Sequence, residues 1–139
     1  MDLGSITKKD LSTIELVMPN FVPIKFDDGT PMTITMNGLY SEKYRAGMDA
    51  QQSARLKRVQ ASGGKVTITP EEMREDRMSF VVSMVDSWHI QLDGEKPACT
   101  VKIIRDVFAR LPFIYDQCDR ALEDGQSFLE TSSKHSSTT

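Results

Sequence analysis

Two spacings of apolar residues divide the chain. Met32, Ile34 and Met36 alternate with Thr33 and Thr35, so an extended segment there has one apolar and one polar face. Ser12 to Met18 and Val22 to Phe26 are two further β-prone runs, the first stopped by Pro19. The linking segment Asp27-Asp28-Gly29-Thr30-Pro31 contains an Asp-Gly step, whose glycine supplies the positive φ of a tight turn. These runs predict a small antiparallel sheet.

After Asn37-Gly38 the spacing changes to three and four. Ser41 offers an N-cap to a charged stretch reaching Gln60, rich in helix formers but with a thin apolar face and a weakening Gly47. It reads as an exposed helix or a partly mobile one. Ser62-Gly63-Gly64 is a flexible break, and Lys65 to Ile68 a short extended piece. Thr69-Pro70-Glu71-Glu72 is a helix start, with Thr69 as cap and Pro70 at the first position. Met73, Arg77, Phe80, Val81, Met84, Val85 and Trp88 then recur at helical steps, which predicts an amphipathic helix running to Trp88 at the centre of the core. Leu92 to Pro97 reads as a polar turn. Thr100 caps a helix whose face holds Val101, Ile104, Val107, Phe108 and Leu111. Pro112 opens a last helix through Ile114, Cys118, Ala121, Leu122 and Gly125 to Phe128 or Leu129.

The predicted fold class is therefore α+β: a small N-terminal antiparallel β-hairpin or sheet and a mainly α-helical C-terminal half. Residues 1–11 form a flexible arm. Residues 12–130 form a single domain, β-rich over 12–37 and helical over 41–60 and 69–130. Residues 131–139, polar throughout from Ser132, form a disordered tail.

Length and charge narrow the function. A chain of 139 residues fits one domain. A net charge of −3 argues against a nucleic-acid or anionic-membrane binder, which needs cations to offset phosphates. No apolar run approaches the roughly 20 residues that span a bilayer, and the N-terminus lacks the apolar stretch of a secretory signal. A cytoplasmic protein is expected. Two cysteines, Cys99 and Cys118, are too few for a disulfide scaffold or a cysteine-built zinc site, and they read as buried thiols.

Few residues are spaced for chemistry. The two histidines, His89 and His135, have no partner at metal-ligand or triad spacing. Asp27-Asp28 belongs to a turn, and Glu71-Glu72 to a helix N-terminus, where the dipole favours negative charge. Gly63-Gly64-Lys65 lacks the first glycine and the Ser or Thr of a phosphate loop. No catalytic, cofactor-binding or metal-binding residue is predicted, and the chain is not expected to be an enzyme. Arg55, Lys57 and Arg58, with Lys43 and Arg45, are the one nucleic-acid candidate. Only Tyr40 and Tyr44 lie near them for stacking, so a solvated helix face is the expectation. Eight methionines are many for this length and could give adaptable apolar surfaces, but most, Met32, Met36, Met73 and Met84 among them, lie on predicted strand or helix faces and read as core, while Met78 falls off the main apolar stripe. Leu111-Pro112-Phe113-Ile114-Tyr115 places large apolar groups beside a helix start. Phe113, Tyr115 and Met78 are the candidate partner-binding residues.

The C-terminal half carries an arrangement that resembles a known family. Val85-Asp86-Ser87-Trp88 closes a helix. Leu92-Asp93-Gly94-Glu95-Lys96-Pro97 makes a turn, a helix follows, and Leu111-Pro112-Phe113-Ile114 opens a terminal helix reaching Phe128. This resembles the tail assembly chaperones of long-tailed (siphovirus-type) bacteriophages, well over residues 68–130 and loosely elsewhere. The resemblance implies that Trp88, Asp93, Gly94 and Pro97 define the fold and form no reactive site. It also implies binding to the tape measure protein, recruitment of tail tube protein through a frameshifted extension, self-association, action in the host cytoplasm and absence from the mature virion. The alternatives are a tail completion or adaptor protein retained in the virion, and a small nucleic-acid-binding regulator.

Overall fold

A computed structural model describes residues 2–65 and 68–131. The protein is α+β. Three antiparallel strands, β2 (Leu11–Glu15), β3 (Thr33–Asn37) and β4 (Val85–His89), form a sheet in the order β2-β3-β4. A second, two-stranded antiparallel sheet joins β1 (Ile6–Lys8) to β5 (Leu129–Thr131). Among the described residues, four α-helices complete the fold: α1 (Glu42–Ala61), α2 (Pro70–Met84), α3 (Val101–Arg110) and α4 (Pro112–Glu123).

The three predicted caps lie where the sequence places them. Ser41 Oγ accepts from Tyr44 N–H at 3.1 Å, Thr69 Oγ1 from Glu72 N–H at 3.1 Å, and Thr100 Oγ1 from Ile103 N–H at 3.4 Å. Each satisfies an amide that the first helical turn leaves without a partner. Pro112 opens α4 without a side-chain cap.

The core lies between the three-stranded sheet and α2, α3 and α4. Ile34 and Met36 point inward from β3, Phe80, Val81 and Met84 from α2, Ile104, Val107 and Phe108 from α3, and Ile114, Cys118 and Leu122 from α4. The chain's single tryptophan, Trp88, is 8% exposed. Two predicted core members are on the surface instead. Met73 is 59% exposed and Val101 62%, because both occupy the first turn of their helices, before those helices meet the core.

The largest departure from the sequence pattern is at Trp88. The helix ends at Met84, and Val85–His89 is a strand with no loop between them. Asn37, buried at the end of β3, donates its Nδ2–H to the carbonyl of Met84 at 3.2 Å, satisfying a group that the helix end leaves open. The pairing of β3 with β4 explains the helical spacing of these residues. Ile34 opposes Trp88, Thr35 opposes Ser87, and Met36 opposes Val85, so Asp86 is a bulged extra residue. Val85 and Trp88 therefore both face inward three residues apart, a spacing that also fits a helix.

The ends of the chain differ from expectation too. Residues 6–8, expected within a flexible arm, pair with residues 129–131. The last helix stops at Glu123, and a 3-10 turn, Gly125–Phe128, leads into β5. Phe128 is fully buried, its ring lying where a side chain on Gly38 would begin: a Cβ there would stand 2.0 Å from Phe128 Cδ1. Gly47, expected only to weaken α1, has a packing role. A Cβ there would meet Phe80 at 3.0 Å and Met84 at 3.1 Å. It lets α1, which has no buried residue, approach α2 closely. The predicted disordered tail, 131–139, begins with Thr131, which is in β5 instead; its remainder and part of the predicted extended piece 65–68 lie outside the described residues.

Candidate partner-binding surface

The four residues that the family resemblance singles out form one structural unit. The Trp88 indole N–H donates to the carbonyl of Pro97 at 2.9 Å. Between them, Asp93 and Gly94 have φ of +52° and +80°, and Leu92 and Glu95 exchange backbone hydrogen bonds of 2.8 and 3.0 Å. Two successive positive φ values define the mirror-image turn that matches strand twist, in which Asp-Gly is a favoured pair. The Asp93 carboxylate accepts two bonds from the Arg110 guanidinium, at 2.7 and 2.8 Å. That fork holds the Asp93 carboxyl below the usual range and ties the turn to the end of α3.

A cleft of about 630 Å³ opens beside this unit, lined by Phe26, Asp27, Asp28, His89, Gln91 and Lys96 among others. Lys96 Nζ stands 5.3 Å from the centre of the Phe26 ring. Asp28 accepts from both the hydroxyl and the amide of Thr30, which lowers its pKa and identifies it as a turn-forming residue. Among the described residues no group of histidine, cysteine and carboxylate side chains is placed to hold a metal ion. Burial raises the pKa of both thiols, Cys118 to about 12, which keeps them as poor nucleophiles.

The basic cluster of α1 is largely neutralised. Arg58 reaches Asp76 at 2.8 Å and Glu72 at 3.7 Å, and Arg55 lies 3.8 Å from Asp76. Two of the three cations that a nucleic-acid reading requires thus hold α1 against α2.

The three predicted partner-binding residues are half-buried, pack against the core, and do not form one patch. Met78 sits on α2. Tyr115 meets Phe108 edge-on, with ring centres 5.5 Å apart, and burial raises its hydroxyl pKa. Phe113 is two residues away on α4, a spacing that turns it to a different side. It lines both an apolar cavity of about 130 Å³, with Leu16, Ile24, Met32 and Leu111, and a groove of about 170 Å³.

That groove leads to a feature the sequence pattern did not reveal. Its other wall is the loop of a small hairpin: Val17, Met18, Pro19 and Phe21, facing Asp116, Gln117 and Arg120 of α4. Met18 N–H donates to Val22 O and Phe21 N–H to Met18 O, each at 2.8 Å. Phe21 has φ +69° in a three-residue loop whose left-handed position normally holds glycine. A bulky residue there costs about 1–3 kcal/mol. The strain brings no buried contact in return, since Phe21 is 78% exposed, flanked by Met18 at 43% and Val22 at 52%. Behind the loop, Gln117 takes the place of a neighbouring strand. Its Oε1 accepts from Val17 N–H at 2.9 Å and its Nε2–H donates to Val17 O at 2.6 Å. The signal available in the sequence was Pro19-Asn20, a turn pair followed by an aromatic residue at the glycine position.

Comparison with protein-family models, characterised proteins and solved structures finds no match to this chain.

Proposed function

We propose that this chain is a tail assembly chaperone of a long-tailed bacteriophage, which binds the tape measure protein and helps to recruit tail tube subunits during tail morphogenesis. The observation that carries this reading is the unit built from Trp88, Asp93, Gly94 and Pro97. These residues mark the resemblance, and the indole hydrogen bond from Trp88 to Pro97 and the positive φ of Asp93 and Gly94 support reading them as packing and turn residues. The helix ending at Met84 departs from the pattern of a helix closed by Trp88. Further support comes from the surface. An acidic body with separate apolar features suits repeated weak contacts along one long rod, where linkage multiplies modest affinities.

Co-expression with the tape measure protein of the same phage, followed by pull-down and size-exclusion chromatography, tests the proposal. A stable complex with several copies of this chain per rod is the expected result. A tape measure protein that precipitates while this chain elutes alone removes the function. Recovery of the chain from purified virions would favour the alternative, a tail completion or adaptor subunit.

A further inference from the structure

The hairpin loop at Phe21 combines three features. A bulky side chain occupies a backbone conformation that favours glycine, its ring projects into solvent, and its base is held to α4 through both main-chain groups of Val17. Local strain maintained by surrounding contacts, with no packing gain for the strained residue, is a recurring property of binding sites. A rigid support also lowers the entropy lost when a partner docks.

We infer that the Phe21 loop and the adjoining groove are a docking site for an amphipathic helix of a partner protein. The inference rests on the proposed function for the identity of that partner, the tape measure protein. The chemistry of the groove selects the occupant. The loop wall carries the apolar Met18 and Phe21; the α4 wall carries Phe113 together with Asp116 and Arg120, both exposed and of opposite charge, at spacings that put all three on one side of the helix. A lipid chain would leave those charges facing hydrocarbon. A phosphate-rich ligand would meet Asp116. A helix with one apolar face and mixed charges on its flank satisfies both sides, with Phe21 as the anchor residue. The chain's own residues 132–139 contain no apolar side chain and cannot fill the site.

Phe21→Gly tests this without threatening the fold, because glycine suits the loop conformation. Binding is measured against two probes: the tape measure protein, and a Leu/Lys amphipathic peptide of about 20 residues. Met73→Ser, which removes an exposed apolar residue from α2, is the control. The expected result is that F21G melts at or above the wild-type temperature and binds both probes about tenfold or more weakly, while M73S binds as wild type. If F21G binds the tape measure protein as tightly as wild type, the docking site is elsewhere and the chaperone function stands. If wild type binds the peptide in a Phe21-dependent way but ignores the tape measure protein, the site stands and the chaperone function fails. Binding of neither probe overturns both, and a wild-type dimer abolished by F21G assigns the loop to a second copy of this chain instead.

Discussion

The indole N–H of Trp88 and the carbonyl of Pro97 meet at 2.9 Å across nine residues of chain, closing the segment that joins β4 to α3. The ring fills part of the core while its one polar atom fixes the far side of the turn. Trp88→Phe should keep most of the packing but leave the carbonyl without its donor, costing about 1 kcal/mol. Trp88→Ala should cost about 3–5 kcal/mol. Urea unfolding followed by circular dichroism measures both, since the variants carry no other tryptophan. Equal losses for the two variants would show that the hydrogen bond, and not the packing, dominates.

Two glycines separate steric need from backbone preference. A Cβ at Gly38 would overlap the Phe128 ring, so Gly38→Ala must displace a fully buried side chain. It should cost about 1–3 kcal/mol or more, and loosen the β1–β5 pairing that follows Phe128. Gly47→Ala gains about 1 kcal/mol in helix propensity but tightens contacts with Phe80 and Met84. The two effects oppose, so its net change should be below that gain. A full 1 kcal/mol increase in denaturant unfolding would mean that α1 yields at no cost.

Much of this fold was legible because its punctuation is local. Ser41, Thr69 and Thr100 cap helices through their own side chains, Pro70 and Pro112 occupy first turns, and the Asp-Gly steps at 28–29 and 93–94 turn the chain as their residues require. The failures involve distant partners. Val85 to His89 carries a helical spacing only because a bulge at Asp86 offsets its pairing with β3. Ile6–Lys8 and Leu129–Thr131 are too short to show alternation, and each is a strand because of the other. The candidate site was hidden for the same reason. Phe113 was visible as a large apolar residue near a helix start, but its groove forms against a loop that Gln117 binds through Val17, 100 residues away in sequence.

The Asp93–Arg110 pair makes a prediction about acid. Its hydrogen bond to Arg110 lowers the Asp93 pKa in the folded state, so its contribution to stability is present above the ordinary carboxylate value of about 3.9. The contribution is lost as pH falls through the lowered folded-state value. Asn tolerates the left-handed backbone at this position, so Asp93→Asn removes the charge with little strain, whereas Asp93→Ala adds strain. Wild type should exceed D93N in urea midpoint at neutral pH and low salt. The difference should shrink in high salt, because the pair is exposed, and vanish in strong acid. A difference that survives acid would have to come from the side-chain amide and not from the charge.

Cys118 makes the opposite prediction in alkali. The thiol is fully buried among core side chains, and burial, with Asp119 adding to it, pushes its pKa up to about 12. An unfolded thiol ionises near about 8.5. Below that value both states hold the proton, and the packing contribution of the side chain is fully present. As pH rises from about 8.5 toward about 12, the unfolded chain alone gives up its proton, and stability falls. Cys118→Ala should cost about 1 kcal/mol or more at neutral pH, and the gap to wild type should narrow steadily above about pH 8.5. A disulfide reagent at mildly alkaline pH should label Cys99, which is partly exposed, well before Cys118, with the second thiol reacting only when denaturant opens the core. Rapid labelling of both thiols in the native protein would mean that α4 detaches from the core on the timescale of the reaction. The groove between α4 and the Phe21 loop would then be a transient surface.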